Sequence, residues 1–196
     1  MDIVLDTLFD NSHLPRVQNP GFTDSFGAAD GTLDYTEDGK TWIRRSATGS
    51  GTALWVRNSW SAKLNSASPP SHALVDALVP DGVFTTTVRT AAADCVTVLR
   101  YVDNENYLYL QYSGSGSHYQ LLKRVAGSST GLASTAATAA DGDVIEVTLS
   151  GSAIDVVLNS SPLTSVTCAN FTDATMFGLS ATAYTGRWES VSFVAS

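Results

Sequence analysis

Nineteen carboxylates, three histidines and two cysteines are the groups in this chain that could carry proton transfer, nucleophilic attack or metal binding. Glycosidic hydrolysis needs two carboxylates facing each other across the scissile bond, which on a single strand places acids two residues apart. Glu146 in VIEVTL and Glu189 in RWESV instead stand alone, and Glu37-Asp38 lies in a turn. His13, His72 and His118 fall in an N-terminal arm, at a strand start and beside a Gly/Ser loop. All three are expected to be exposed, and no nucleophile elbow stands beside any of them. Cys95 and Cys168 form no CxxC pair; two buried reduced thiols are the plain expectation and a disulfide the alternative. The GSGS run lacks the following helix that would hold a phosphate. No catalytic residue is therefore nominated. Asp103-Asn104-Glu105-Asn106, with Asp24, Asp30 and Asp34, are oxygen-rich clusters of the kind Ca²⁺ accepts. Turns favour the same residues, and neither metal ligands nor a cofactor are assigned.

These groups must be positioned by strands. Short runs rich in Val, Thr, Tyr, Leu and Trp recur every 8 to 12 residues between Gly, Ser, Asn and Asp clusters, and helical periodicity is nearly absent. Strands are expected at 41–45, 52–57, 72–78, 83–89, 95–102, 106–112, 118–125, 143–149, 153–158, 163–167, 176–182 and 188–194, with a polar strand pair over 127–140. So many strands in one domain imply an all-β fold of two stacked antiparallel sheets. Residues 1–21, with Pro15 and Pro20 and no clean alternation, are expected to form an extended arm, and 22–196 the domain.

Within this frame the segment 101–125 holds an unusual share of the tyrosines. Alternation puts Leu108, Leu110 and Tyr112 on one face and Tyr107, Tyr109 and Gln111 on the other. In the partner strand Tyr119, Leu121 and Val125 follow the first set inward, while His118, Gln120, Leu122 and Arg124 face outward. The candidate contact face is Tyr107, Tyr109, Gln111, His118, Gln120 and Arg124. Rings beside amide and guanidinium donors suit a pyranose, a protein partner, or plain cross-strand packing. Among the tryptophans, Trp42 and Trp55 are expected in the core or at its rim, and Trp60 in NSWSAKL is expected to be exposed.

The net charge of −8 argues against nucleic acid and anionic membrane as partners, because affinity for both comes from Lys and Arg. The start MDIVLDTLFDNSH lacks the basic region and long apolar run of a signal peptide, so synthesis in a cytoplasm is expected.

The order of FTDSFGAADGTLDYTEDGKTW, VLRYVDNENYLYLQYS, HYQLLKRVAG, DGDVIEVTLSGSAIDVVLNS and FGLSATAYTGRWESVSFV resembles concanavalin A-like, laminin-G-like jelly-roll domains, closest to those of bacteriophage virion proteins. That resemblance implies a non-enzymatic structural protein on the virion, a minor tail protein or a capsid decoration. It would form a homo-oligomer, with other virion proteins as partners; the arm is expected to fold back on its own domain or to lie on a neighbouring subunit. A carbohydrate-binding module for cell-surface glycans is the alternative. A glycan hydrolase is disfavoured, because the E-x-D-x-x-E signature of jelly-roll glucanases is absent. Two departures stand out: Asn159 is followed by Ser160 where the family has Asn-Gly, and Cys168 stands where it often has Asp.

Overall fold

A computed structural model describes residues 19–46, 53–66 and 70–196; all but the last three residues of the expected arm, His13 included, lie outside them. Every regular element described is a strand. One sheet runs Ser161–Thr167 (β14), Ala153–Leu158 (β13), Val144–Ser150 (β12), Gly82–Thr90 (β7), Arg187–Ala195 (β16), Ala62–Ser66 (β5), Leu54–Arg57 (β4) and Gly31–Thr32 (β2), with Phe22–Asp24 (β1) also paired to β16. The other, of seven strands, runs Ser128–Ala136 (β11), His118–Val125 (β10), Asn106–Ser113 (β9), Cys95–Asp103 (β8), Met176–Ala181 (β15), Ser71–Asp76 (β6) and Ile43–Ser46 (β3). The expected all-β, two-sheet antiparallel sandwich is the observed architecture.

Period-two alternation decides which side chains meet between the sheets. Phe84 and Val88 of β7 and Ile145, Val147 and Leu149 of β12 are buried in one cluster with Leu108, Leu110, Leu121, Phe177 and Leu179 of the other sheet. Burial of each large side chain is worth about 1.5–3 kcal/mol. The Thr86 and Thr97 hydroxyls pair at 3.2 Å across the core, whereas the Trp55 indole nitrogen is buried there without a hydrogen-bond partner. Trp42 and Trp55 are buried as expected, Trp55 against Trp188 at 5.5 Å between ring centres. β16 is central to the first sheet, pairing β7 on one side and both β1 and β5 on the other. Gly21 admits the chain there; its φ is +87°, and a Cβ would come within 2.4 Å of the Phe193 carbonyl oxygen.

Three local features depart from the expected pattern. β5 was not expected, because AKLNS offers only Ala62 and Leu64 to the core. The polar stretch 127–140 forms one strand, β11, with a bulge opposite Leu121/Leu122. In β8 a bulge falls at Arg100, which has φ 47°, and the register steps from Gly178↔Val98 to Met176↔Tyr101. The extra residue reverses the alternation, so Tyr101 joins Val96 and Val98 on the outer face. Arg100 is buried, and its Nη2 donates to Asp81 Oδ1 at 2.7 Å.

Asn159 and Ser160 form the two-residue turn between β13 and β14, with φ 50° and 64°. The Asn159 side chain stabilises the turn by accepting from the Val144 amide at 2.9 Å and donating to Asp143 at 2.8 Å. Ser160 sits in a left-handed conformation that glycine adopts freely. Ser160→Gly is expected to stabilise the domain by about 1 kcal/mol; an unchanged or lower denaturation midpoint would contradict this account.

Candidate functional site

The outer face of the seven-stranded sheet carries a row of aromatic side chains, Tyr101, Tyr107 and Tyr109, that lie outside the core between the sheets. The β9–β10 register places Tyr107 opposite Arg124, Tyr109 opposite Leu122, Gln111 opposite Gln120 and Ser113 opposite His118. The expected partition of faces is therefore observed: Leu108, Leu110, Tyr119 and Leu121 join the main core, and Tyr112 packs against it. Val125, expected inward, is exposed where the strand runs past the core.

The six candidate residues share one face but differ in accessibility. Tyr107, expected as a contact residue, is only 8 % exposed. It packs among His72, Tyr101 and Tyr109, with ring centres 5.3, 5.8 and 5.4 Å away, in a second small apolar cluster with Leu74, Val96 and Val98. Tyr109, Gln111, His118, Gln120 and Arg124 are half-buried and form the accessible part. Gln111 Nε2 donates to Gln120 Oε1 at 3.1 Å, leaving the Gln111 carbonyl and the Gln120 amino group for other partners. Arg124 Nε donates to the Asn104 carbonyl at 3.2 Å, which aims the guanidinium along the face.

Tyr101 and His72 extend the row and were not anticipated. Tyr101 escaped alternation because of the Arg100 bulge. His72, expected to be exposed, is fully buried, and neither ring nitrogen has a hydrogen-bond partner. Its ring lies 5.5 Å from that of Tyr101 although β15 runs between their strands. β15 places the small residues Gly178 and Ser180 on this face between them, with Met176 beside Tyr101, so rings from the flanking strands can close over it. Burial pulls the imidazole down to about 4, with the Arg124 charge acting in the same direction. It is neutral at pH 7. Burial also pushes the Tyr101 phenol up to about 12, opposed by Arg45, and its hydroxyl donates to Asn104 Oδ1 at 2.6 Å. At this end an open cavity of about 300 Å³ is lined by Arg45, Tyr101, Val102, Asp103, Asn104 and Met176.

The remaining reactive groups are engaged elsewhere. Asp24 accepts from Arg57, Trp42 and the Phe26 amide, Asp34 pairs with Arg44, Asp30 accepts from the Ser59 amide, and Asp103 accepts from Glu105 and Asn106. Among the described residues no three His, Cys, Asp or Glu side chains gather where they could hold a metal ion. Glu146 and Glu189 lie on the sheet opposite the aromatic row. Gly127–Gly131 spells G-x-S-x-G, but it opens the exposed strand β11, with no helix after it, and so lacks the strand–turn–helix of a nucleophile elbow. Cys95 and Cys168 are both unpaired, and burial pushes the Cys95 thiol up to about 12, far from a reactive thiolate.

No protein-family model and no curated protein matches the sequence. Solved structures do match in fold. The carbohydrate binding module CBM66 from Bacillus subtilis superposes with a TM-score of 0.57 at 10% identity, over 79% of this chain and 92% of that one. A Bacillus licheniformis beta-glucanase gives 0.62 at 11%, covering 91% of this chain and 100% of its own. The exoplasmic/lumenal domain of VIP36, in its Ca²⁺/Man3GlcNAc-bound form, gives 0.54 at 10%, over 78% and 82%. At such identities the likeness speaks for architecture: the chain is an antiparallel jelly-roll β-sandwich.

Proposed function

We propose that this domain is a non-catalytic carbohydrate-binding module whose ligand lies on the outer face of the seven-stranded sheet. The observation that carries this is the half-open ring of Tyr109, backed by Tyr107 and bordered by the Gln111–Gln120 pair and Arg124. A pyranose stacks its C–H side on such a ring while its hydroxyls bond to amide and guanidinium groups. Because these side chains stand on a paired sheet and are tied to one another, little conformational entropy remains to be lost on binding. The fold is one that also serves a carbohydrate-binding module and a glycan-bound lumenal domain.

On a glycan array the protein should bind a defined subset of sugars, and Tyr109→Ala should weaken that binding by about tenfold or more. Tyr109 is the residue to change, because replacing Tyr107 would also open the small apolar cluster. A flat array, or binding indifferent to Tyr109, would sink the proposal.

Display on a bacteriophage particle, as a homo-oligomeric minor tail or capsid-decorating protein, is the setting implied by the order of segments. It would place a glycan-binding face where a host surface is met. Antibody labelling of purified particles tests this, and a protein found only free in the lysate counts against it.

A further inference from the structure

The hairpin joining β4 to β5 turns in two residues, with Arg57 paired to Ala62 and the Asn58 amide donating to the Ser61 carbonyl at 2.8 Å. Both turn residues, Ser59 and Trp60, are left-handed, with φ 52° and 61°. This is a type I′ turn, which Asn and Gly occupy with ease and tryptophan does not. Three tethers hold it. The Ser59 amide donates to Asp30 Oδ1 at 2.8 Å, Arg89 Nη1 donates to the Trp60 carbonyl at 3.1 Å, and Arg187 Nη1 donates to Asn58 Oδ1 at 3.1 Å and Ser61 Oγ at 3.4 Å. Backbone strain persists only where the surroundings over-determine it, as they do here.

The side chain held in this way does not belong to the core. Trp60 is 66% exposed, more than any other large hydrophobic residue described. One edge of the indole rests beside Gly27, where a Cβ would stand 3.4 Å from Cζ3, so the plate is supported while most of it stays open. Arg89 is exposed, and neither Arg89 nor Arg187 has a carboxylate partner among the described residues. Asp30, the nearby acid, is turned to the Ser59 amide. A fixed aromatic plate thus stands beside two uncompensated guanidiniums on a chain whose net charge is −8.

We propose that this hairpin tip is a second ligand site, separate from the outer-face row, and that it takes a sugar residue bearing a carboxylate. The C–H side of the ring stacks on Trp60, and the carboxylate pairs with Arg89 and Arg187. Neutral sugars would gain only the stacking.

The test uses trigalacturonic acid and sialyllactose as acidic probes, with maltotriose and lactose as neutral counterparts, in calorimetric titrations of the full chain. An acidic probe should bind in preference to its neutral counterpart. Its affinity should fall about tenfold in Trp60→Ala and in Arg89→Gln, and should fall with added salt. Tyr109→Ala should leave it unchanged. No binding of either acidic probe, equal binding of the neutral sugars, or binding unaffected by Trp60→Ala would each overturn the proposal. Loss in Tyr109→Ala with retention in Trp60→Ala would assign the acidic sugar to the outer face, sparing that function and overturning this site. Trp60→Gly supplies a readout independent of any ligand. Relief of the turn should hold Tm or raise it by about a few degrees while acidic-sugar binding is lost. A clear drop in Tm would make Trp60 a packing residue and would also overturn the proposal.

Discussion

Asp24→Ala is expected to cost about 3–5 kcal/mol of folding stability, the largest single-residue effect anticipated outside the apolar core. Asp24 is fully buried on β1. Its Oδ1 accepts the Phe26 amide at 2.9 Å, and its Oδ2 accepts Trp42 Nε1 and Arg57 Nη2, each at 2.9 Å. One carboxylate therefore fastens the first strand to the segment before β3 and to the end of β4. Removing it leaves a nearly buried guanidinium facing an indole N–H that has no acceptor, whereas removing both charges avoids the uncompensated one. The double variant Asp24→Ala/Arg57→Met should accordingly lose less than the two single changes added together. Urea titrations of the three variants decide the matter. A loss below about 1 kcal/mol for Asp24→Ala would show that the contact is incidental.

The second large effect is a dependence on pH. His72 has a folded-state value near 4 and an ordinary value of 6.5. Above pH 6.5 the imidazole is neutral in both states and contributes no pH dependence. As pH falls from 6.5 towards 4 the unfolded chain takes up a proton that the folded chain refuses, so stability declines across that window by about 3 kcal/mol. Burial explains the refusal, with the Arg124 charge from β10 adding to it; Tyr101 from β8 and Tyr107 from β9 pack against the ring, and neither ring nitrogen has a partner. His72→Phe should remove this part of the acid sensitivity and raise stability at neutral pH by freeing the face of two unpaired nitrogens. Denaturant midpoints measured between pH 7 and pH 4 provide the check; parallel curves for the two proteins would refute it.

The hairpin 106–125 could be read in advance because its two strands alternate without interruption, so a period of two assigns Leu108, Leu110, Tyr119 and Leu121 to one face and Tyr109, Gln111 and Gln120 to the other. The rest of the row could not. One left-handed residue, Arg100, reverses the alternation of β8 and brings Tyr101 outward, and no residue type announces a left-handed arginine. The burial of His72 depends on strands far apart in the chain and on the small residues of β15 between them, an effect of sheet order and not of local pattern. Trp60 stood out as exposed from its polar neighbours, but the turn that presents it occupies Ser-Trp where Asn-Gly is the usual signal. The short strands β1 and β2 are held by their partners and carry almost no pattern of their own.

The central position of β16 bears on how the protein is made. The strand that β7, β1 and β5 all pair with comes after every other described strand in chain order, so it leaves the ribosome after them. Until it emerges, the growing chain has an open slot in the middle of one sheet, flanked by edges whose backbone groups are ready to pair with any other extended segment. Completion of the domain therefore waits for its last strand and joins residues nearly the whole length of the domain apart, as in Phe22 with Phe193. Closures of such long range are slow and leave nascent molecules open to one another. The interval between synthesis and the insertion of β16, more than the finished sandwich, is where aggregation should compete with folding.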